Sequence, residues 1–377
     1  MSEKQKLREV AGVFFKMGCF AFGGPAVHIS LMESEIVQKR KWITHEHFLD
    51  LVGATNLIPG PNSTEMTMHC GHERAGRAGL FVAGLAFILP AIVITGVLAW
   101  FYTAYGNLPA VAPFLEGIKP AVLAVILATV IKLGEKSIKS TEHILLAIAV
   151  IVICLLGVSE IVAMIGVGIL GMLYKVVLNK SKNDTKSTFF GLLLFGAPSI
   201  ALKLTSLNVF FTFLKVGALL YGSGMVLFAY LDAELVSKGW LTQQQLIDAV
   251  AVGQFTPGPV LSTATFVGYQ LNGLGGAIAA TAGIFLPSFL FVLLLNPIIP
   301  KMRKSLVFGY FLDAVNVAAV AVIAAVLVTM SKATLIDWKS ILIAVLAVIV
   351  VFKMKKINVI WVIIGGAVLG YLLNVIN

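Results

Sequence analysis

The sequence predicts an all-α polytopic membrane protein built from two inverted-topology repeats. Its 377 residues are 59% hydrophobic and only 12% charged, with a mean hydropathy of +0.96, whereas soluble domains carry about 25% charged residues. Residues 78–115 and 249–300 contain no charged side chain, and each run is longer than the roughly 20 apolar residues that one helical span requires. The tripeptide Pro-Gly-Pro occurs twice in these apolar surroundings, at 59–61 and 257–259.

Helices are expected to break at Pro-Gly-Pro and at Gly23-Gly24-Pro25, because proline lacks a backbone donor and glycine tolerates almost any dihedral angle. Residues 7–40 and 45–75 are therefore predicted to form two broken helical hairpins at membrane depth. The basic triplet at 39–41 favours hairpins that re-enter, returning to the side from which they came. The alternative, a hairpin that spans the membrane, stays open.

Four spans are predicted to follow the hairpins of the first half, at 79–103, 109–131, 143–158 and 160–178. The predicted domains are an N-terminal repeat at 1–187, a linking transmembrane segment at 188–204 and a C-terminal repeat at 205–377. Nine spans and four broken hairpins result, with a cytoplasmic N-terminus and an external C-terminus. No cleavable signal peptide is expected, because the basic N-terminus leads into a segment that recurs as a structural unit.

The two halves share identities that keep their order along the chain. The matched residues of the first half are Lys16, Gly18, Gly23, Glu35, Lys39, Trp42, Thr44, Asp50, Pro59, Gly60, Pro61 and Thr67. Their partners are Lys215, Gly217, Gly222, Glu234, Lys238, Trp240, Thr242, Asp248, Pro257, Gly258, Pro259 and Thr265. The spacing between matched residues changes only once along this stretch, by a single residue. The pattern therefore indicates duplication.

Charge indicates that the second copy is inverted. The first half carries basic clusters at 74–77 and 132–139, whose counterparts in the second half are nearly uncharged, while the clusters at 301–304 and 353–356 have no basic counterpart in the first half. If the halves have opposite orientations, nearly all of these clusters lie on the cytoplasmic side. The linking segment at 188–204 supplies the odd crossing that inversion needs. Loops near Lys136, Lys182 and Arg303 are accordingly predicted to be cytoplasmic.

Broken helices offer an anion site, because the first N–H groups of each new half-helix have no intrahelical partner and the helix dipole is positive there. The predicted site residues are Gly23, Gly24, Pro59, Gly60, Pro61, Asn62, Ser63, Gly222, Ser223, Pro257, Gly258, Pro259 and Ser262. In the alternative interpretation, Pro-Gly-Pro only kinks packed helices. The stretch 62–65 resembles a capping box, in which Glu65 folds back onto these same donors.

Four further polar residues are candidate anion ligands. Lys16 and Lys215 lie within apolar segments, where a cation either binds an anion or counter-ion or extends to the lipid headgroups. Asn56 and Gln254 lie three residues before the two Pro-Gly-Pro turns, where they can bond an oxyanion or a neighbouring helix.

Three acids are candidates for proton coupling. Glu116 and Asp313 are equivalent, each follows Phe-Leu, and each begins a long apolar helix. Lys119 is predicted to pair with Glu116, which leaves Asp313 as the less compensated acid and the first candidate, with Glu65 the next. In the alternative interpretation, both Glu116 and Asp313 anchor helix ends at the membrane interface.

Other chemistries lack a pattern in the sequence. Cys19, Cys70 and Cys154 are isolated, and His28 and His69 have no ligand spacing, so no metal or cofactor is expected and the histidines are assigned to packing. The net charge of +10 is assigned to loops rather than to a nucleic-acid surface. An intramembrane enzyme is a weak alternative, because no catalytic motif is present, and a passive anion channel is a more serious one.

The motifs in this order resemble the chromate ion transporter family in its two-domain form, over residue 8 to the C-terminus. The resemblance rests on residues 14–18, Phe22-Gly23-Gly24-Pro25, Arg40-Lys41-Trp42 and 57–61. The second half departs from it, with Tyr221-Gly222-Ser223-Gly224 in place of Phe-Gly-Gly-Pro. The resemblance implies secondary export of chromate, or of its analogue sulfate, across an inner membrane.

Several properties stay open at this point. The sequence does not separate chromate from sulfate, export from sulfate uptake, or a proton from another coupling ion. The lipid bilayer is the expected surrounding, and a homodimer is one assembly left open.

Overall fold

The described part of the chain is helical and contains no strand, which confirms the predicted all-α class. The computed structural model describes residues 2–22, 24–106, 108, 110–179, 205–221, 224–295, 305–354 and 357–375. The predicted linking segment at 188–204 lies outside these residues, as do Gly23, Gly222 and Ser223.

Seven helices of each repeat lie within the described residues, in the same order. The first repeat contains α1 (Glu3–Phe20), α2 (Pro25–Met32), α3 (His45–Thr55), α4 (Asn62–Tyr105), α5 (Ala112–Ser137), α6 (Thr141–Leu155) and α7 (Glu160–Asn179). The second contains α8 (Ser206–Leu219), α9 (Val226–Leu231), α10 (Gln243–Phe255), α11 (Thr263–Leu295), α12 (Leu306–Thr334), α13 (Trp338–Lys353) and α14 (Val359–Val375). Helices α1 to α7 therefore correspond to α8 to α14.

Local irregularities recur at equivalent positions and confirm the duplication. A π-helical turn follows α2 at Glu33–Lys39 and α9 at Asp232–Val236. Helices α4 and α11 each bend at a glycine, with φ 61° and ψ −154° at Gly76 and φ 56° and ψ −148° at Gly273. Glycine suits these bends because a side chain disfavours positive φ.

The two hairpins of the first repeat and the second hairpin of the second repeat return to the end of the bundle from which they started. In the first repeat, Arg40, which follows the first hairpin, and Arg74, which follows the second, both bind Glu9 near the start of α1, each at 2.7 Å. In the second repeat, Asn272 at the bend of α11 donates to Ser206 at the start of α8, at 2.8 Å. This return is the geometry that the predicted re-entrant hairpins require.

The Pro-Gly-Pro turns lie deep within the bundle. The first segment of α4, residues 62–74, is about 20 Å long at about 1.5 Å per residue. Since this segment runs from the first turn to Arg74, which binds Glu9, the turn lies about 20 Å along the helix from that end of the bundle.

Contacts at the two ends of α5 show that the repeats are inverted. Phe114 at the start of α5 stacks on Tyr371 near the end of α14, with ring centroids 4.6 Å apart. At the other end of α5, Lys175 of α7 lies 3.9 Å from Glu142, at the start of α6. Lys175 also lies 5.9 Å from the ring of Tyr310, at the start of α12. Helix α12 thus begins where its counterpart α5 ends.

The later helices of each repeat pack against helices of the other repeat. Helix α5 packs along α14 and α13, and α12 packs along α7 and α6. Small residues allow these close approaches: a Cβ atom at Gly117 would lie 2.7 Å from Cα of Gly370, and one at Gly171 would lie 2.6 Å from Cβ of Ala314. Close contact through small residues is the usual basis of helix association in membranes.

Four described helical segments are long and apolar enough to cross a membrane. They are Asn62–Tyr105, Ala112–Ser137, Val260–Leu294 and Leu306–Thr334, and shorter apolar helices occur at Thr141–Leu155, Ser206–Leu219 and Val359–Val375. The spans predicted at 79–103 and 109–131 fall in α4 and α5. The segment predicted at 143–158 ends earlier, at Leu155, and a turn with positive φ at Gly157 follows. The protein is therefore membrane-embedded.

Candidate functional site

The two Pro-Gly-Pro turns interrupt their hairpins as predicted, and both turns depend on glycine. Helix α3 ends at Thr55 and α4 begins at Asn62, while α10 ends at Phe255 and a short 3-10 turn leads into α11. Gly60 has φ 136° and Gly258 has φ 85°. These values lie in the region that residues with a side chain rarely adopt.

Each turn docks onto the first helix of the other repeat. The Gly60 N–H donates to the Leu220 carbonyl at 2.7 Å, and the Gly258 N–H donates to the Ala21 carbonyl at 2.9 Å. Leu220 and Ala21 are the C-caps of α8 and α1. The two turns and the ends of two broken helices are thus joined by a reciprocal pair of hydrogen bonds.

Side chains support these docked ends. The His28 ring donates its Nε2–H to the Ala21 carbonyl at 3.1 Å, and the ring packs edge-on to Phe87. This is the packing role predicted for His28. In the second repeat, the Tyr230 hydroxyl donates to the Leu219 carbonyl at 2.8 Å.

Buried hydroxyls follow both turns and have no hydrogen-bond partner among the described residues. Thr64 and Ser262 occupy equivalent positions, two residues into α4 and at the end of the 3-10 turn, and both are fully buried with unpartnered hydroxyl oxygens. A buried polar group without a partner is costly, so such groups commonly serve a ligand or an ordered water. Ser63 is also buried, and the N-terminal N–H groups of both helices point to the same turns.

The capping box predicted at 62–65 is not formed. The N-cap of α4 is Pro61, which makes no side-chain cap. The Asn62 amide instead donates to Asn56 Oδ1 at 2.6 Å, and Asn56 donates to the Val52 carbonyl. Proline at the N-cap supplies no acceptor side chain, so the reciprocal pair of bonds cannot close.

Glu65 nevertheless turns back toward the Pro-Gly-Pro turn. It is fully buried, and neither carboxylate oxygen has a hydrogen-bond partner in the described chain. A Cβ atom at Gly60 would collide with Glu65 Oε1 and would lie 2.7 Å from the hydroxyl of Ser288, which is also buried and unpartnered. The first turn is therefore lined by a carboxyl and a hydroxyl group.

The second turn meets an apolar counterpart. A Cβ atom at Gly258 would lie 2.9 Å from Cβ of Ala91, which is the residue equivalent to Ser288. Thr263 stands at the position equivalent to Glu65, and its hydroxyl donates to the Val260 carbonyl at 2.7 Å. The start of α11 thus carries no negative side chain at this position.

The predicted lysine ligands differ from each other. Lys215 pairs with Glu234 at 2.6 Å, and Lys238 binds the other oxygen of Glu234 at 2.7 Å. Lys16 is exposed, and Glu35 binds Lys39 and Arg40 instead, both at 3.0 Å. Hydrogen bonds from Lys39 and Arg40 hold the pKa of Glu35 below its usual range. Lys215 therefore has a counter-ion within the protein.

The remaining candidate residues differ in how deeply they are buried. Gln254 is partly buried and contacts the sulfur of Met225, and Asn56 and Gly24 are exposed. Pro61, Pro257 and Pro259 are buried within the turns, and Pro59 is partly buried.

The predicted pairing of Lys119 with Glu116 is wrong. Lys119 pairs with Asp248 on α10, with Nζ 3.3 Å from Oδ1, and Tyr102 donates to Oδ2 at 2.6 Å. Glu116 and Asp313 are both exposed, which fits their interpretation as anchors of helix ends. The reason is a contact across the repeats, because Lys119 lies against the buried Asp248 while Glu116 is exposed.

The buried group of Tyr102, Lys119 and Asp248 was missed as a site by sequence reasoning. Asp248 was noted only as the repeat partner of Asp50. One signal in the sequence marks it, since it is a single acid immediately before the uncharged run at 249–300, and an intramembrane acid is by default a functional candidate.

Comparison with known proteins gives matches over nearly the whole of this chain. The family profile described as Chromate transporter matches residues 8–172 and again residues 207–371. The chromate transport protein of Cupriavidus metallidurans is 28% identical over 97% of this chain and 92% of its own length. A probable chromate transport protein of Synechococcus elongatus is 31% identical, over 93% and 91% of the two chains.

A third relative, the chromate transport protein of Pseudomonas aeruginosa, is 31% identical over 95% of this chain and 90% of its own length. No solved structure shows a significant match. The double profile match and the full-length relatives show that this chain belongs to the chromate transporter family.

Proposed function

We propose that this protein is a secondary carrier that exports chromate, or the analogous sulfate, across the cytoplasmic membrane, with its N-terminus in the cytoplasm. Family membership supports chromate as the transported anion. The inverted repeats support a carrier, since this architecture allows one half to rock against the other around a central site. The basic loops support the orientation.

The oxyanion binds where α11 begins, at the second Pro-Gly-Pro turn. The observation that carries this assignment is Ser262, whose buried hydroxyl has no partner in the described chain and stands at a helix start. The positive end of the helix dipole favours an anion there. A tetrahedral dianion can accept bonds from several such donors at once.

The start of α4 has a different role, because Glu65 occupies it. An ionised carboxylate in this apolar pocket would be uncompensated, and it would repel a dianion bound nearby. Glu65 therefore takes up and releases a proton during transport of the anion, and the unpartnered hydroxyl of Ser288 lines the same turn. This assignment replaces Asp313, whose exposed side chain is poorly placed to sense the site.

The test is chromate flux in proteoliposomes that contain the purified protein. A carrier gives saturable uptake and counterflow of labelled chromate, whereas a passive channel gives no counterflow. Ser262→Ala should raise the half-saturating chromate concentration about 10-fold or more, since a hydrogen bond to a charged group contributes about 1.5–3 kcal/mol. Competition by sulfate measures the selectivity of the site for chromate over sulfate.

Thr95→Val is the matched control, because Thr95 is equally buried but donates to the Ala91 carbonyl of its own helix. Unchanged half-saturation in Ser262→Ala would refute the assigned site. Absence of counterflow with intact flux would establish the channel instead. Flux that proceeds only into the cytoplasm, measured with inverted and right-side-out vesicles, would establish an uptake carrier.

A further inference from the structure

A buried ion pair joins the two repeats away from the Pro-Gly-Pro turns. The side chains of Lys119 and Asp248 are only 12% and 5% exposed, and the pair is 3.3 Å apart. Tyr102 donates its hydroxyl to the second oxygen of Asp248 at 2.6 Å. Both carboxylate oxygens are therefore engaged, one by a cation and one by a neutral donor.

This group of three residues contacts both arms of the second hairpin. Asp248 lies on α10, the helix that leads into the second turn, and the Tyr102 ring packs against Phe266 on the first segment of α11, with centroids 5.3 Å apart. Tyr102 and Lys119 belong to α4 and α5 of the first repeat. The hairpin that presents Ser262 is thus held to the opposite repeat by two side chains.

The equivalent ion pair cannot form at the first hairpin. Asp50 is the residue equivalent to Asp248, but it is exposed. The position equivalent to Lys119 is Asn316, which carries no charge. The ion pair therefore breaks the symmetry of the repeats, and it can stabilise only one of the two arrangements that the pseudo-two-fold axis relates.

We propose that Tyr102, Lys119 and Asp248 are positioning residues that hold the second hairpin against the first repeat, and that this ion pair must open for the hairpin to move during transport. Separating buried charges is costly, because each would be left without compensation in an apolar interior. The ion pair therefore favours the orientation of the carrier in which Lys119 and Asp248 are in contact.

The test measures how accessible the second turn is, and this measurement requires no transport. Val260, which is partly buried at the start of the 3-10 turn, is replaced by cysteine in a variant without Cys19, Cys70 and Cys154. Reaction of the purified protein with a water-soluble maleimide is then followed over time. Lys119→Met and Asp248→Asn should each increase the labelling rate several-fold, and the exchanged pair Lys119→Asp with Asp248→Lys should restore it.

Two controls separate this role from general destabilisation. Asp50→Asn should leave labelling at position 260 unchanged, and a cysteine at Asn62 in the first turn should label equally in all variants. If a charge variant does not fold, Tyr102→Phe provides the test, because it removes one hydrogen bond and should produce a smaller increase. Unchanged labelling in Lys119→Met and Tyr102→Phe, or an equal increase at position 62, would overturn the proposal.

The inference relies on the proposed carrier function only for its consequence in transport. If the labelling changes but no chromate counterflow occurs, the ion pair holds the hairpin and the carrier assignment fails. If counterflow occurs without any labelling change, the carrier stands and the positioning role is wrong.

Discussion

Glu65 and Thr263 occupy equivalent positions in the two repeats, but only Thr263 has a partner in its own turn. The Thr263 hydroxyl donates to the Val260 carbonyl at 2.7 Å, whereas the Glu65 carboxylate is fully buried without a partner among the described residues. Two turns with the same Pro-Gly-Pro sequence thus differ in the one side chain that can carry charge. This difference motivates the first prediction.

Glu65→Gln should retain chromate counterflow but lose the dependence of net flux on an imposed pH gradient. Glutamine keeps the size of the side chain and cannot exchange a proton. The measurement is flux in proteoliposomes with and without the gradient. Asp313→Asn is the control, and it should keep the gradient dependence because Asp313 is exposed. The opposite pattern would return the coupling role to Asp313.

Gly60→Ala and Gly258→Ala should each lower the melting temperature of the purified protein and impair transport. At positive φ an alanine costs about 1–3 kcal/mol, and at Gly60 the new methyl group would also collide with Glu65. Gly12→Ala is the control, since a Cβ atom there would meet no heavy atom within 4 Å. Full stability in both turn variants would show that the turns tolerate other backbone conformations.

Gly117→Val should separate α5 from α14 and destabilise the protein. A Cβ atom at Gly117 would lie 2.7 Å from Cα of Gly370 and even closer to the Gly366 carbonyl, so the helices must move apart. The same substitution at Gly365, where a Cβ atom meets no heavy atom within 4 Å, should have little effect. Thermal unfolding in detergent compares the two variants, and equal melting temperatures would argue against this helix contact.

Single cysteines at Lys139 and Ile336 should lie on opposite sides of the membrane. The two residues are equivalent, both are exposed, and each lies immediately before the N-cap of α6 or α13. Inversion of the repeats places position 139 in the cytoplasm and position 336 outside. An impermeant maleimide applied to intact cells should label only position 336. Labelling of both positions, or of 139 alone, is incompatible with the proposed orientation.

Sequence reasoning recovered the features that are encoded locally. The breaks at Pro59-Gly60-Pro61 and Pro257-Gly258-Pro259 follow from backbone chemistry that does not depend on neighbours. The duplication is visible because matched residues such as Trp42 and Trp240 keep their order. These features required no knowledge of which helices touch.

Features that depend on the direction of a side chain were not recovered. Spacing alone paired Lys119 with Glu116, but the partner of Lys119 is Asp248 in the other repeat. The capping box at Glu65 failed for a related reason, because Pro61 rather than Asn62 occupies the N-cap. Contacts between repeats involve residues far apart in the chain, and no local pattern encodes them.

The exchange of helices between repeats has a consequence for how the protein is made. Helix α7 packs against α12, and α5 packs against α14, so the surfaces of the first half that are built around Gly171 and Gly117 meet their partners only after the second half has been synthesised. The newly inserted first half must therefore remain in the lipid in an incomplete arrangement. Its assembly is completed only when α12 and α14 have been inserted beside it.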